Sequence, residues 1–113
     1  MVKLFELLNK LEGKFAKIHD KNVSMSELTV LSLQISPRQA IVLTNRNLYI
    51  YNKKIIKINA KIIPLQSIEI VRIKSDTLLI EKDNEVLSEI RFNKKKDLQI
   101  ATYKKLTALL PGN

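Results

Sequence analysis

Short runs of β-branched and aromatic residues between residues 27 and 92 constrain this chain more than any other feature of its sequence. They predict seven strands, and most of the gaps between them are only two to four residues long. Gaps of that length suit antiparallel hairpins, because parallel strands need a longer crossover. The predicted strands lie near residues 27–35, 39–44, 47–52, 55–63, 67–74, 77–82 and 86–92.

One helix is predicted on each side of these strands. Over residues 2–18 the apolar side chains recur three and four positions apart, and lysines repeat on an adjacent face. Over residues 95–110 leucines cluster on one side, and Pro111-Gly112 ends the segment. Residues 19–22 are predicted as a loop. The apolar face of the first helix is expected to pack on its own domain or on a second copy of the chain.

The fold class predicted from this order is α+β and mainly β. About seven antiparallel strands would form a barrel or a two-sheet sandwich, whose apolar face needs cover. The C-terminal helix is the natural cap, and the N-terminal helix is an addition. The chain has 113 residues, which suits one domain. We therefore predict an N-terminal amphipathic helix and loop over residues 1–22 and a single compact domain over residues 23–113.

Several stretches of sequence resemble the bacterial pleckstrin-homology (PH)-like family. Residues 41–51, IVLTNRNLYIY, resemble its strand-turn-strand, and residues 63–71, IPLQSIEIV, resemble the segment that follows. Residues 77–81 and 89–92 resemble the last hairpin, and residues 95–109 resemble the closing helix. The resemblance covers roughly residues 27–110. It implies a PH-like barrel or sandwich that serves as a binding scaffold, since such domains are known for phosphoinositide or protein recognition.

Residue types that carry catalysis or bind metals are scarce. The chain has no cysteine, and His19 is its only histidine. With two glycines it cannot form a phosphate-binding glycine-rich loop. His19 stands beside Asp20 in the predicted loop, and we expect it on the surface. We predict no catalytic residue, no metal site and no cofactor, because metal sites need clusters of ligands and nucleophilic catalysis needs a nucleophile with a base.

The distribution of charge indicates an anionic partner. The formal net charge is +9, and no Asp or Glu occurs from Leu28 through Ile68. A basic region of this kind attracts acidic protein surfaces, anionic lipid or nucleic acid. The residues predicted to bind an anionic ligand are Arg38, Arg46, Lys53, Lys54 and Lys57.

These observations predict a non-catalytic PH-like binding module that mediates protein–protein or anionic-surface interaction. A protein partner is expected first, and an anionic lipid surface or a homo-oligomer formed through the N-terminal helix are further options. The alternative is a non-specific nucleic-acid-binding protein that uses the basic region 38–61. Tyr49 and Tyr51 alternate on one strand, where they would either stack on bases or be buried. Charged residues interrupt the apolar runs near the N-terminus, so we expect a cytoplasmic protein, with a peripheral position at a membrane as an option.

Overall fold

The computed structural model describes residues 9–111, with side chains from residue 11 onward. Over these residues the chain is mainly β, with seven antiparallel strands in two sheets, a short parallel strand and two helices. It divides into two compact units between residues 62 and 63, and the predicted boundary after residue 22 stays a prediction. The elements are β1 (Asn9–Lys10), α1 (Gly13–Asn22), β2 (Thr29–Ser36), β3 (Gln39–Thr44), β4 (Asn47–Lys53), β5 (Ile58–Pro64), a 3-10 turn (Leu65–Ser67), β6 (Ile70–Lys74), β7 (Thr77–Lys82), β8 (Glu85–Arg91) and α2 (Lys96–Leu109).

The first sheet has the strand order β1-β2-β3-β4-β5, and its central strands β3 and β4 are buried on both faces. The register pairs Val42 with Tyr49 and Ala40 with Tyr51, so these four side chains share one face. The opposite face holds the apolar residues that alternate with them. These include Leu31, Leu33, Ile35, Ile41, Leu43, Leu48 and Ile50, all of which are buried.

Helix α1 covers the face that carries the two tyrosines. Phe15 is 1% exposed and packs in one cluster with Ala40, Val42, Tyr49 and Tyr51. Partly buried apolar residues surround the cluster, namely Leu11, Ile18, Val23 and Ile58. Complete burial of a phenylalanine contributes about 2–3 kcal/mol. The described helix therefore packs on its own chain, which is one of the two predicted alternatives.

The bounds of α1 differ from the helix predicted over residues 2–18. Residues 2–8 of that prediction lie outside the described residues. Residues 9 and 10 form a strand instead, because their backbone pairs in parallel with Ser32 and Leu33 on β2. The helix then runs through residues 19–22, so the loop predicted there is wrong.

The seven predicted strands are confirmed, but the turn between β4 and β5 is longer than predicted. Ile55 and Ile56 were expected to open a strand, and they lie outside both strands. Lys54 and Lys57 exchange backbone hydrogen bonds across them, with N–O distances of 2.7 and 3.2 Å. These bonds close a tight turn with the two isoleucines at its tip. Their side chains are consequently 96% and 95% exposed.

The second unit is a meander of β6, β7 and β8 followed by α2. In β6 and β7 buried residues are interspersed with exposed or half-buried charged ones, and Arg72 forms an ion pair with Glu81 at 2.9 Å. Buried Gln99 fixes α2 to the β6–β7 turn, because its side-chain amide donates to the carbonyl oxygens of Ser75 and Thr77. The predicted C-terminal helix is confirmed within one residue at each end.

Candidate functional site

Four of the five predicted ligand-binding residues lie at one end of the first sheet. Arg38 lies in the β2–β3 turn, Lys53 ends β4, and Lys54 and Lys57 flank the β4–β5 turn. The backbone N–H of Lys53 donates to the carbonyl oxygen of Arg38 at 2.7 Å, which places these two turns side by side. Arg46 lies in the β3–β4 turn at the other end of the same strands, roughly 20 Å away at about 3.3 Å per residue.

Helix α1 brings three further lysines to this end of the sheet. Lys14, Lys17 and Lys21 lie three and four residues apart, so they share a helical face. Together with Lys53 they line an open cleft of about 540 Å³ between α1 and the β4–β5 turn. We call this the basic cleft. Its apolar lining consists of Ile18, Ile55, Ile56 and Ile58.

The cations at this end of the sheet are close enough to affect one another. Contact with Lys14 lowers the pKa of Lys53 below its usual value, and the charge of Arg38 acts in the same direction while that of Glu12 opposes it. Within the described residues, no ion pair joins a lysine of the cleft to a carboxylate. Asp20, the one acid of α1, does not line the cleft. Like charges gathered in this way favour the approach of an anion from outside the chain.

A buried polar network fastens α1 to the sheet. His19 lies edge-on against the rings of Tyr49 and Tyr51, and its Nδ1 is 2.7 Å from the hydroxyl oxygen of Tyr51. The expected surface position of His19 is therefore wrong, because the last turn of α1 places this residue under the helix with 8% exposure. Burial lowers the pKa of His19, although the charges of Asp20 and Glu27 act against this.

Glu27 extends this network to the β3–β4 turn. Its carboxylate accepts hydrogen bonds from the side chains of Thr44, Asn47 and Tyr49 and from the backbone N–H of Ser24, at 2.7–3.0 Å. Burial would raise the pKa of Glu27, but these hydrogen bonds outweigh it and lower the pKa to about 2. A carboxylate that accepts so many bonds is a poor proton acceptor. Its role is to hold the loop before β2 against the β3–β4 turn.

The two tyrosines are buried and present no face on which bases could stack. Tyr49 is 1% exposed and Tyr51 is fully buried, and their rings lie nearly parallel beneath α1. Burial is the largest of the causes that raise the pKa of both hydroxyls to about 12. Of the two predicted alternatives for this pair, burial is the one observed.

The cations of the turns were predicted from the sequence, and the cleft was not. The lysines of α1 were visible as part of a helical stripe, except Lys21, which was assigned to a loop. Nothing in the sequence indicated that this stripe meets the β4–β5 turn, because the packing of Phe15 on the sheet decides that. Ile55 and Ile56 were missed because their β-branched side chains are typical of a strand.

The part of the chain that the structure describes offers no group of three or more His, Cys, Asp or Glu side chains that could hold a metal ion. Over residues 9–111, no helix has the length and apolar character needed to cross a membrane. Comparison with protein-family models, curated proteins and solved structures found no match to this chain.

Proposed function

We propose that this chain is a non-catalytic binding module of PH-like fold that docks its basic cleft on an anionic surface. The observation that carries the proposal is the convergence of Lys14, Lys17 and Lys21 with Lys53 around one cleft. The two groups lie more than 30 residues apart in sequence, so folding brings them together. Further charge at the same end of the sheet comes from Arg38, Lys54 and Lys57.

Two features support the PH-like part of the proposal. The seven antiparallel strands follow one another along the chain, and a helix follows the last strand, which is the order of elements in that family. The strand-turn-strand resemblance falls on β3, β4 and the turn between them. A cytoplasmic location is also part of the proposal, and it fits a chain without cysteine.

The chemistry of the cleft suits an acidic protein face, an anionic lipid headgroup or a nucleic-acid backbone. Nucleic acid is the alternative function, but burial of Tyr49 and Tyr51 removes the stacking contribution that would have favoured it. Charge attraction alone would then hold a nucleic acid. We therefore propose an anionic surface other than nucleic acid as the partner.

Retention on a heparin column tests the proposal, since heparin is a soluble polyanion without hydrophobic groups. The variant Lys53→Glu changes a lysine of the basic cleft. Its matched control, Arg46→Glu, changes an arginine at the other end of the sheet. The two variants have the same net charge. We expect Lys53→Glu to elute at a clearly lower salt concentration than Arg46→Glu, because only the former disrupts the cluster. Equal losses in both variants would mean that net charge alone decides retention, and this would contradict the proposal.

A further inference from the structure

The β4–β5 turn exposes two large apolar side chains. Ile55 and Ile56 are 96% and 95% exposed at the tip of the turn closed by Lys54 and Lys57. Tight turns favour Asn, Asp and Gly, whereas β-branched residues favour strands. Neither local propensity nor burial in this chain explains a pair of isoleucines here. Their position is explained if they are buried in something else.

The apolar tip and the cations face the same cleft. Both isoleucines line the basic cleft together with its four lysines, and Lys54 and Lys57 flank the tip along the chain. A short apolar projection within a group of cations matches the boundary of an anionic bilayer. There, apolar side chains enter the outer acyl region to a depth of roughly 5–10 Å, while lysines stay among the headgroups.

We propose that the tip formed by Ile55 and Ile56 inserts into the interface of an anionic lipid bilayer while the lysines of the basic cleft contact the headgroup phosphates. This inference rests on the proposed function and names the anionic surface. Charge complementarity favours lipid, because four lysines line the same cleft as the tip and two more flank the tip along the chain. A nucleic-acid backbone would satisfy the lysines but would leave both isoleucines in water.

Binding to vesicles is the direct test. Wild-type protein is titrated with vesicles of phosphatidylcholine alone and with vesicles of phosphatidylcholine and phosphatidylglycerol in equal parts. We expect binding only to the second kind. Ile55→Ser/Ile56→Ser should weaken it by about tenfold for each isoleucine replaced, and Lys53→Glu by at least about fivefold. The isoleucine variant should keep its fold, since both side chains are exposed, and thermal unfolding checks this.

A fluorescent reporter distinguishes insertion of the tip into the bilayer from binding of the lysines to the headgroups alone. The chain contains no tryptophan, so Ile56→Trp adds a single one at the tip. We expect its emission to shift to the blue on phosphatidylglycerol vesicles and to be quenched by lipids brominated in the acyl chains. Leu28→Trp is the matched control, because the Leu28 side chain is exposed and its backbone bonds to Asn45 at the other end of the sheet. The emission of this control should not change.

Retention on heparin distinguishes failure of this inference from failure of the proposed function. If wild-type protein binds heparin through the cleft but not the vesicles, the lipid assignment is wrong and the proposed function stands. If Ile55→Ser/Ile56→Ser binds vesicles as tightly as wild type, insertion is refuted. If wild type forms a dimer that this variant does not, a second copy covers the tip and the lipid assignment is again wrong. If wild-type protein binds neither heparin nor the vesicles, the proposed function itself is overturned.

Discussion

Replacing Glu27 with glutamine removes the charge that joins the loop before β2 to the β3–β4 turn. Four groups donate to this carboxylate, of which the Tyr49 hydroxyl lies 2.8 Å from both oxygens and the Thr44 hydroxyl lies 2.7 Å from one of them. Glutamine keeps one accepting oxygen and puts an N–H₂ group where donors already point. We therefore expect Glu27→Gln to lower the free energy of unfolding at neutral pH.

The pKa of Glu27 sets the magnitude of this effect. It falls from 4.5 to about 2 in the folded protein, and at about 1.4 kcal/mol per pH unit this gives a ceiling of about 3 kcal/mol. Solvent screens the charge because the side chain is only partly buried, so we expect a loss of roughly 1–2 kcal/mol. The control Glu89→Gln changes an exposed carboxylate on β8 and should alter the free energy of unfolding by less than about 0.5 kcal/mol.

Urea unfolding at neutral and at acid pH measures how much Glu27→Gln lowers the free energy of unfolding and how this effect depends on pH. The folded-state pKa of Glu27 is depressed, so its contribution is fully present above 4.5 and is lost as the pH falls through about 2. The difference in free energy of unfolding between wild type and Glu27→Gln should become smaller as the pH falls from 4.5 to about 2. Two results would refute the reasoning. One is a Glu27→Gln variant that is as stable as Glu89→Gln at neutral pH. The other is a difference in free energy of unfolding between wild type and Glu27→Gln that stays the same at acid pH.

Two further predictions concern the attachment of α1. Phe15→Ala leaves a cavity between α1 and the sheet and should lower the free energy of unfolding by about 3–5 kcal/mol in urea titrations, whereas the exposed control Met25→Ala should have almost no effect. A loss below about 1 kcal/mol would mean that the helix is not anchored by this ring. Burial holds the pKa of His19 below 6.5, so its contribution to stability is complete above 6.5 and falls as the pH drops below that value. His19→Phe keeps a ring at this position without a titrating nitrogen. Below pH 6.5, its free energy of unfolding in urea titrations should fall less steeply with pH than that of wild type. If the two fall equally steeply, His19 is not the group responsible.

Local patterns were sufficient for most of the strands. β3 and β7 have the predicted bounds, and α2 agrees within one residue at each end. These elements are marked by alternation or helical spacing and end at turn-forming residues, so local preference and tertiary structure agree. The prediction was wrong where a tertiary contact decided the outcome, as in the strand at residues 9–10, which depends on pairing with the edge of β2.

The candidate site was predicted only in part for the same reason. Charge along the chain pointed to Arg38, Lys53, Lys54 and Lys57, which do share one end of the sheet, and to Arg46, which does not. The distribution of charge along the chain does not show which end of the sheet a residue occupies. The order of the antiparallel strands shows it, because successive turns lie at opposite ends of the sheet. The buried position of the histidine was equally hidden, because its tyrosine partners lie 30 and 32 residues away in sequence.

The sequence by itself determined a mainly β chain of seven antiparallel strands with a helix on each side and a surplus of lysines, because periodicity and composition are local properties. Only the tertiary structure decided that Phe15 packs α1 onto the tyrosine face, which brings the lysines of this helix to Lys53. It also decided that Ile55 and Ile56 form an exposed tip, because backbone hydrogen bonds between the flanking lysines close the turn around them. The proposed binding surface depends on these contacts between segments, which no single segment of the sequence encodes.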